Sequence, residues 1–359
     1  MRGPPGGRPY PAVPAHRAPA YDPHPHTRTA RAVSEAGEPG RSAPMTQANY
    51  PRRGRVVVGF DGSDPAVRAL DHAAEEAVRR GTSLEIVCGW PWAVHPVPDF
   101  DMTRLDDGGG DGGGGEGDGG ADGTGNALYE RAQRSMGLAT ERVRARFPHL
   151  VVAPTLTTES AAHALLRCGR SAALTVMGTR GHGGFAGLLL GSVSLRVAAH
   201  CTGPLAVVRG AADAEHGTVL LGLASDADAD ALSFAFEEAR RRGAALRVLH
   251  AWHFPAAPAG QPPSLAHASW EDVAALRKAA EAVPRYAVAP LRETFPGVDV
   301  RTDVVCQSAG HALVEASLDA DVIVLAAHRR PRRLGLQLGP VTHAVLHHAH
   351  CPVVLVPTD

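Results

Sequence analysis

The residues best suited to chemistry in this chain are Gly178-Thr179-Arg180-Gly181-His182-Gly183-Gly184 and, a few residues on, Gly191-Ser192-Val193. Glycines let backbone N–H groups converge on a ligand at close range. No acidic side chain stands between Gly178 and Val193 to repel an anion. The loop follows an apolar run, Leu174 to Met177, that reads as a buried strand. It precedes Val193, Val197 and Ala198, which are spaced like one face of a helix. Ser192 opens that helix, whose free amides and positive dipole end favour a negative charge. Strand, glycine loop and helix start together predict a phosphate cradle. The plain alternative is a flexible connection between strand and helix.

The spacing is more specific than the composition. Gly178, two residues, Gly181, nine residues, then Gly191-Ser192 resembles the G-x2-G-x9-G-[S/T] signature of the ATP-binding branch of the universal stress protein family. Met177 before the first glycine and Pro204 to Val208 as a closing strand resemble it too. A Walker A loop is excluded, because it needs a lysine and the only one here is Lys278. Gly181 to Ala186 matches the short dinucleotide fingerprint G-x-G-x-x-A. That fingerprint should open a helix directly, and here the helix starts only near Ser192.

The resemblance implies a division of labour. Asp61, with Gly59 at the end of the first strand, accepts hydrogen bonds from the nucleoside. Gly89 lies where the family packs adenine, and Met177 offers the base a soft apolar contact. Amides of Gly178, Thr179, Arg180, Gly181, His182, Gly183, Gly184, Gly191, Ser192 and Val193 hold the phosphates, helped by the Ser192 hydroxyl. Arg180 and His182 either add charge or belong to a solvated loop. Asp61 has a plainer reading as a turn residue before a helix. The expected cofactor is ATP, with or without Mg2+. No catalytic set is visible, so a regulatory module is expected, with slow hydrolysis left open. The competing class is a nucleotide-free structural or partner-binding protein. A further alternative is a metal held by His343 and His347, four residues apart near His350 and Cys351. The bland reading of those histidines is the last turn of a helix, and no metal site is assigned.

The elements that must position this loop read as two copies of one domain. Residues 1–50, rich in Pro and Arg and without periodicity, are expected to be a disordered tail, and Met45 is a candidate start. The first domain spans 54–210. Arg55 to Asp61 is its first strand, and Asp64 with Pro65 signals a helix start, Asp64 as the cap. Gly81 stops that helix. Leu84 to Trp90 is a strand, and residues 106–125 form a Gly/Asp insertion without a fold of its own. A helix follows from about Ala127 to Phe147. Next come a strand near Val151 to Thr157, a short helix from Ala161 to Cys168, and the strand before the loop. The second domain, 216–358, repeats the pattern, with Pro284 and Pro290 expected to break its long helix. Alternating strands and helices predict an α/β fold with parallel sheets covered on both faces. The family resemblance implies two tandem Rossmann-like domains, each of five strands ordered 3-2-1-4-5, bringing Asp61 beside Gly178 to Gly184.

The second copy has lost the motif. Gly59-Phe60-Asp61 is answered by Gly222-Leu223-Ala224, and Gly178-Thr179-Arg180-Gly181 by Ala327-His328-Arg329-Arg330. Pro340 replaces Ser192. Only the first copy is expected to bind ATP, with the second packed on it as an internal pseudo-dimer and a homodimer left open. A net charge of −1 gives no electrostatic case for nucleic acid or a charged membrane. No apolar run is long enough to span a bilayer, and no hydrophobic signal core precedes the domains. Five scattered cysteines, each in or beside an apolar element, read as small buried hydrophobes in a cytoplasmic protein.

Overall fold

The computed structural model describes residues 54–89, 121–181, 190–209, 215–253, 270–328 and 338–358. The expected tail 1–50, most of the 106–125 insertion and residues 182–189 lie outside them. The first half runs β1 (Val56–Gly59), α1 (Asp64–Arg79), β2 (Leu84–Gly89), α2 (Ala121–Arg146), β3 (Val152–Thr157), α3 (Ala161–Gly169), β4 (Leu174–Gly178), α4 (Ser192–His200) and β5 (Leu205–Val208). The second half repeats it as β6 (Thr218–Gly222), α5 (Ala229–Arg242), β7 (Ala245–Trp252), α6 (Trp270–Thr294), β8 (Val300–Cys306), α7 (Ala309–Ala316), β9 (Val322–His328), α8 (Pro340–His348) and β10 (Val353–Thr358). Each half orders its strands 3-2-1-4-5, and within each half all pairings are parallel. Val and Leu fill the strands because both faces are covered; Val56, Val57, Leu174, Val176, Leu220 and Ile323 are fully buried or nearly so.

One pairing joins the halves. β5 and β10 run antiparallel, so the two sheets become one of ten strands. Ala206 faces Val354, its own counterpart in the repeat, so a local two-fold passes through that pair. The same symmetry shapes the helices above it. Glu76 and Arg80 on α1 form ion pairs with each other and with Arg242 and Glu238 on α5, which pair with each other in turn. All four side chains are at most 10 % exposed. Four charges taken out of water in this way hold one another and leave none unpaired. Gly81 and Gly243, one residue past the ring on each side, take φ of 61° and 62°, the left-handed turn that ends each helix.

Several expectations are corrected. The cap of α1 is Ser63, whose Oγ accepts from the Ala66 amide, and Asp64 is already helical. α2 starts at Ala121, so the last residues of the Gly/Asp insertion are helical. α6 continues through Pro284 and Pro290. A proline inside a helix costs about 3 kcal/mol, but Pro284 is buried on the face that carries Ala280 and Val288, so tertiary packing outweighs it. Pro290 is on the exposed side, where water reaches the carbonyl left without a donor. Cys306 is exposed, unlike the buried Cys168 and Cys351, and all five cysteines are free.

Candidate functional site

The ends of β1 and β4 lie side by side, as β1 pairs with β2 on one side and β4 on the other. Loops leaving these strands depart to opposite faces, which opens a cleft at the carboxyl edge of the sheet. The cleft measures about 260 Å³, and Gly59, Asp61, Gly89, Met177, Gly178, Arg180, Gly181, Gly191, Ser192 and Val193 line it. Phe60, Ala66, Val87, Ala161, Leu165 and Ser194, which sequence reasoning missed, line it as well. Thr179 sits between two lining residues, and its carbonyl accepts from the Gly191 amide at 2.7 Å. His182, Gly183 and Gly184 lie outside the described residues.

The glycines are there for room. None of Gly178, Gly181 and Gly191 has a positive φ. A Cβ on Gly178 would stand 2.7 Å from the Pro65 carbonyl oxygen, where α1 abuts β4. One on Gly181 would stand 2.1 Å from Asp61 Oδ2, and one on Gly89 would stand 2.5 Å from the Ala161 nitrogen. Asp61 is thus beside Gly181, as the strand order requires. Its Oδ1 also accepts from the Ser63 amide at 3.0 Å and the Ser63 hydroxyl at 2.6 Å, across Gly62 with φ of 85°. Asp61 thus shapes the turn before α1, and it also lines the cleft. Behind it, burial and the Asp61 charge push the Cys88 thiol above its ordinary pKa.

The start of α4 supplies donors. Gly191 is the N-cap with φ −76° and ψ 160°, no side chain caps the helix, and no acidic residue stands in its first turn. The amides of Ser192, Val193 and Ser194 have no acceptor within the helix. The Gly191 amide, expected to hold phosphate, is instead committed to Thr179. The buried Ser194 hydroxyl donates to the Gly178 carbonyl at 3.0 Å and locks strand to helix. Val87, Leu165 and Met177 add apolar surface to the same cleft. Donors, Arg180 and apolar side chains in one cleft suit a ligand with a phosphate and a flat apolar group.

The family model of universal stress proteins matches residues 52–209 and again 216–357. The chain belongs to the universal stress protein family. A universal stress protein of Mycobacterium tuberculosis is 30% identical over 320 residues, covering 85% of this chain and 96% of that protein. One from Mycolicibacterium smegmatis is 33% identical over 58% of this chain and 69% of its own. Among solved structures, a universal stress protein from Archaeoglobus fulgidus superposes with a TM-score of 0.54 at 14% identity, covering 86% of this chain and 98% of that one. That last likeness speaks for the fold. Among the described residues no helix is long and apolar enough to cross a membrane.

The equivalent corner of the second half is built differently. The strand pairing corrects the sequence correspondence by one residue. Val56 pairs with Leu174 and Val219 with Val322, so Gly178 is answered by Ala326 and Arg180 by His328. His328 Nε2 lies 2.7 Å from Asp228 Oδ1, and its Nδ1 lies 2.9 Å from Thr358 Oγ1. The Asp228 Oδ2 accepts from the amides of Ala224 and Ser225. Asp228 thus holds the turn after β6 and His328 together, so this corner is closed by side chains of the protein. The pocket touching Ala327, His328 and Gly339 is only about 30 Å³. His343 and His347 stack with ring centroids 4.1 Å apart, and no group of three or more His, Cys, Asp or Glu residues suited to a metal occurs among the described residues.

Proposed function

We propose that the first half binds ATP and that the protein acts as a nucleotide-responsive regulator in a stress response. The observation that carries this reading is the convergence of three unlike features on one cleft: glycines without room for a side chain, an uncapped helix start, and an apolar wall. In that reading the base lies along Met177, Leu165 and Val87 near Gly89, with Asp61 toward the ribose. The phosphates meet the amides of Ser192 and Val193, the Ser192 hydroxyl and Arg180. An amide bond to a charged group contributes ~1.5–3 kcal/mol, so a few of them suffice without a lysine. Among the described residues Asp61 is the only carboxylate lining the cleft, so a Mg2+ ion would travel on the phosphates. The second half, its corner tied off by His328 and Asp228, serves as a folded partner for the first.

The test is mass spectrometry of nucleotide released from the purified protein, paired with calorimetry against ATP. An adenine nucleotide and a saturable heat are expected. Neither one appearing would overturn the reading in favour of a partner-binding protein that uses no nucleotide.

A further inference from the structure

The local two-fold brings α8 of the second half against the phosphate corner of the first, and α4 of the first against the corner of the second. The two junctions are equivalent in backbone and opposite in chemistry. On the side of the tied-off corner stand Pro357 and Ala199, beside a pocket too small for more than a water. The positions that answer them on the side of the open cleft are Arg209 and His347, by the strand register and the matching starts of α4 and α8.

Arg209 follows Val208, the residue paired with Gly178 in the sheet, so it leaves the strand next to the glycine loop. Its Nη1 donates to the Leu346 carbonyl across the boundary between the halves. Burial, and then the Arg180 charge, hold its guanidinium below the usual arginine range. His347 is next along α8, stacked on His343, and its buried Nε2 has no hydrogen-bond partner. Burial first, then His343, Arg209 and His348, hold the imidazole below its ordinary value. No carboxylate among the described residues pairs with Arg180, Arg209 or His347. Two guanidiniums without an ion pair among the described residues, next to an imidazole nitrogen without a partner, suit an anion held in the neighbouring cleft.

We propose that Arg209 and His347 read the terminal phosphates of the nucleotide bound in the first half, so that the second half contributes to the site by discriminating triphosphate from monophosphate. The inference rests on the nucleotide reading above. The plainer role for Arg209 is to cap the last turn of α8 through Leu346, and the test separates the two.

Calorimetry on the full chain compares ATP with AMP for the natural protein and for Arg209→Gln, Arg209→Lys and His347→Gln. The expected result is ATP bound at least tenfold tighter than AMP. Arg209→Gln should erase most of that preference and leave AMP affinity unchanged, Arg209→Lys should restore part of it, and His347→Gln should reduce it. A mere cap would weaken ATP and AMP equally, and that outcome, or an unchanged ATP-to-AMP ratio in both Arg209→Gln and His347→Gln, overturns the proposal. If Arg209→Gln fails to fold, the ratio in His347→Gln decides. A natural protein that binds neither nucleotide overturns the nucleotide reading and this inference together, a result distinct from normal binding with an unaltered ratio.

Discussion

The two phosphate corners of this molecule share a backbone and differ in what satisfies it. In the first half, the amides at the start of α4 look onto a cleft, and the glycines give way to neighbours. In the second, Ala326 stands for Gly178, Pro340 removes one amide at the start of α8, and Asp228, bound to the amides of Ala224 and Ser225 after β6, holds His328 where Arg180 stands in the first half. A duplicated fold thus keeps its sheet, because buried Val and Leu tolerate exchange. Its corner, by contrast, changes through a few residues: a proline at the helix start and a His–Asp pair inside the corner.

The comparison is sharpened first by what the halves hold in common. Glu76, Arg80, Glu238 and Arg242 form one ring, to which each half gives two members. Glu238→Ala leaves buried guanidiniums without a partner and should cost ~3–5 kcal/mol in denaturant unfolding. Replacing all four with apolar residues of similar volume should cost far less. Equal losses in the two variants would show that packing, and not charge pairing, holds the interface.

The corners themselves come next. A Cβ on Gly191 meets nothing closer than 3.5 Å, and one on Gly339 meets nothing within 4 Å, so valine at either should fold. Gly191→Val should weaken ATP by roughly 100-fold or more, because it crowds amides worth ~1.5–3 kcal/mol each. Gly339→Val should leave the isotherm unchanged. Identical isotherms for the two would break the asymmetry.

Acid should act on the shared interface. His72 is half-buried as a residue, but burial of its imidazole, with Arg242, Arg79 and Arg80 near it, pushes its pKa down to about 3. Burial pushes Glu238 up, and the neighbouring Arg80 and Arg242 outweigh that and hold it low. Both groups bind protons more readily in the unfolded chain, so stability is full above the unfolded values and falls as pH drops. For His72 the loss runs from about 6.5 toward about 3, at no more than ~1.4 kcal/mol per pH unit. Urea unfolding from pH 7 to 4 should show it, and His72→Gln should flatten the upper part of the slope. The smallest effect is expected of Ser63→Ala, which removes the cap of α1 and should cost ~1 kcal/mol with the cleft preserved.

Much of this was legible in the residues. The glycine spacing placed the cleft, and ten of the fourteen expected site residues line it. The repeat of Gly81 as Gly243 marked both helix ends. The misreadings have physical causes. Asp64-Pro65 suits a cap and first turn as well as it suits the first two helical positions, and the Ala66 amide bond to Ser63 Oγ decides between them. The prolines of α6 were judged on local propensity, which burial of Pro284 overrides. The one-residue slip at Ala326 ignored a cue in the chain: Gly178 precedes Gly191 by the same interval as Ala326 precedes Gly339. The ion-pair ring had a cue too, since Glu76 and Arg80 recur as Glu238 and Arg242 just before the matching glycines. The meeting of Arg209 with the Leu346 carbonyl had none, because it depends on which strand edges join.

The central claim is that one half of a duplicated fold binds nucleotide and the other does not. Titration calorimetry of the nucleotide-stripped chain with ATP tests it most directly. The account predicts a single class of site with one ATP per chain. Two equivalent sites per chain would contradict it.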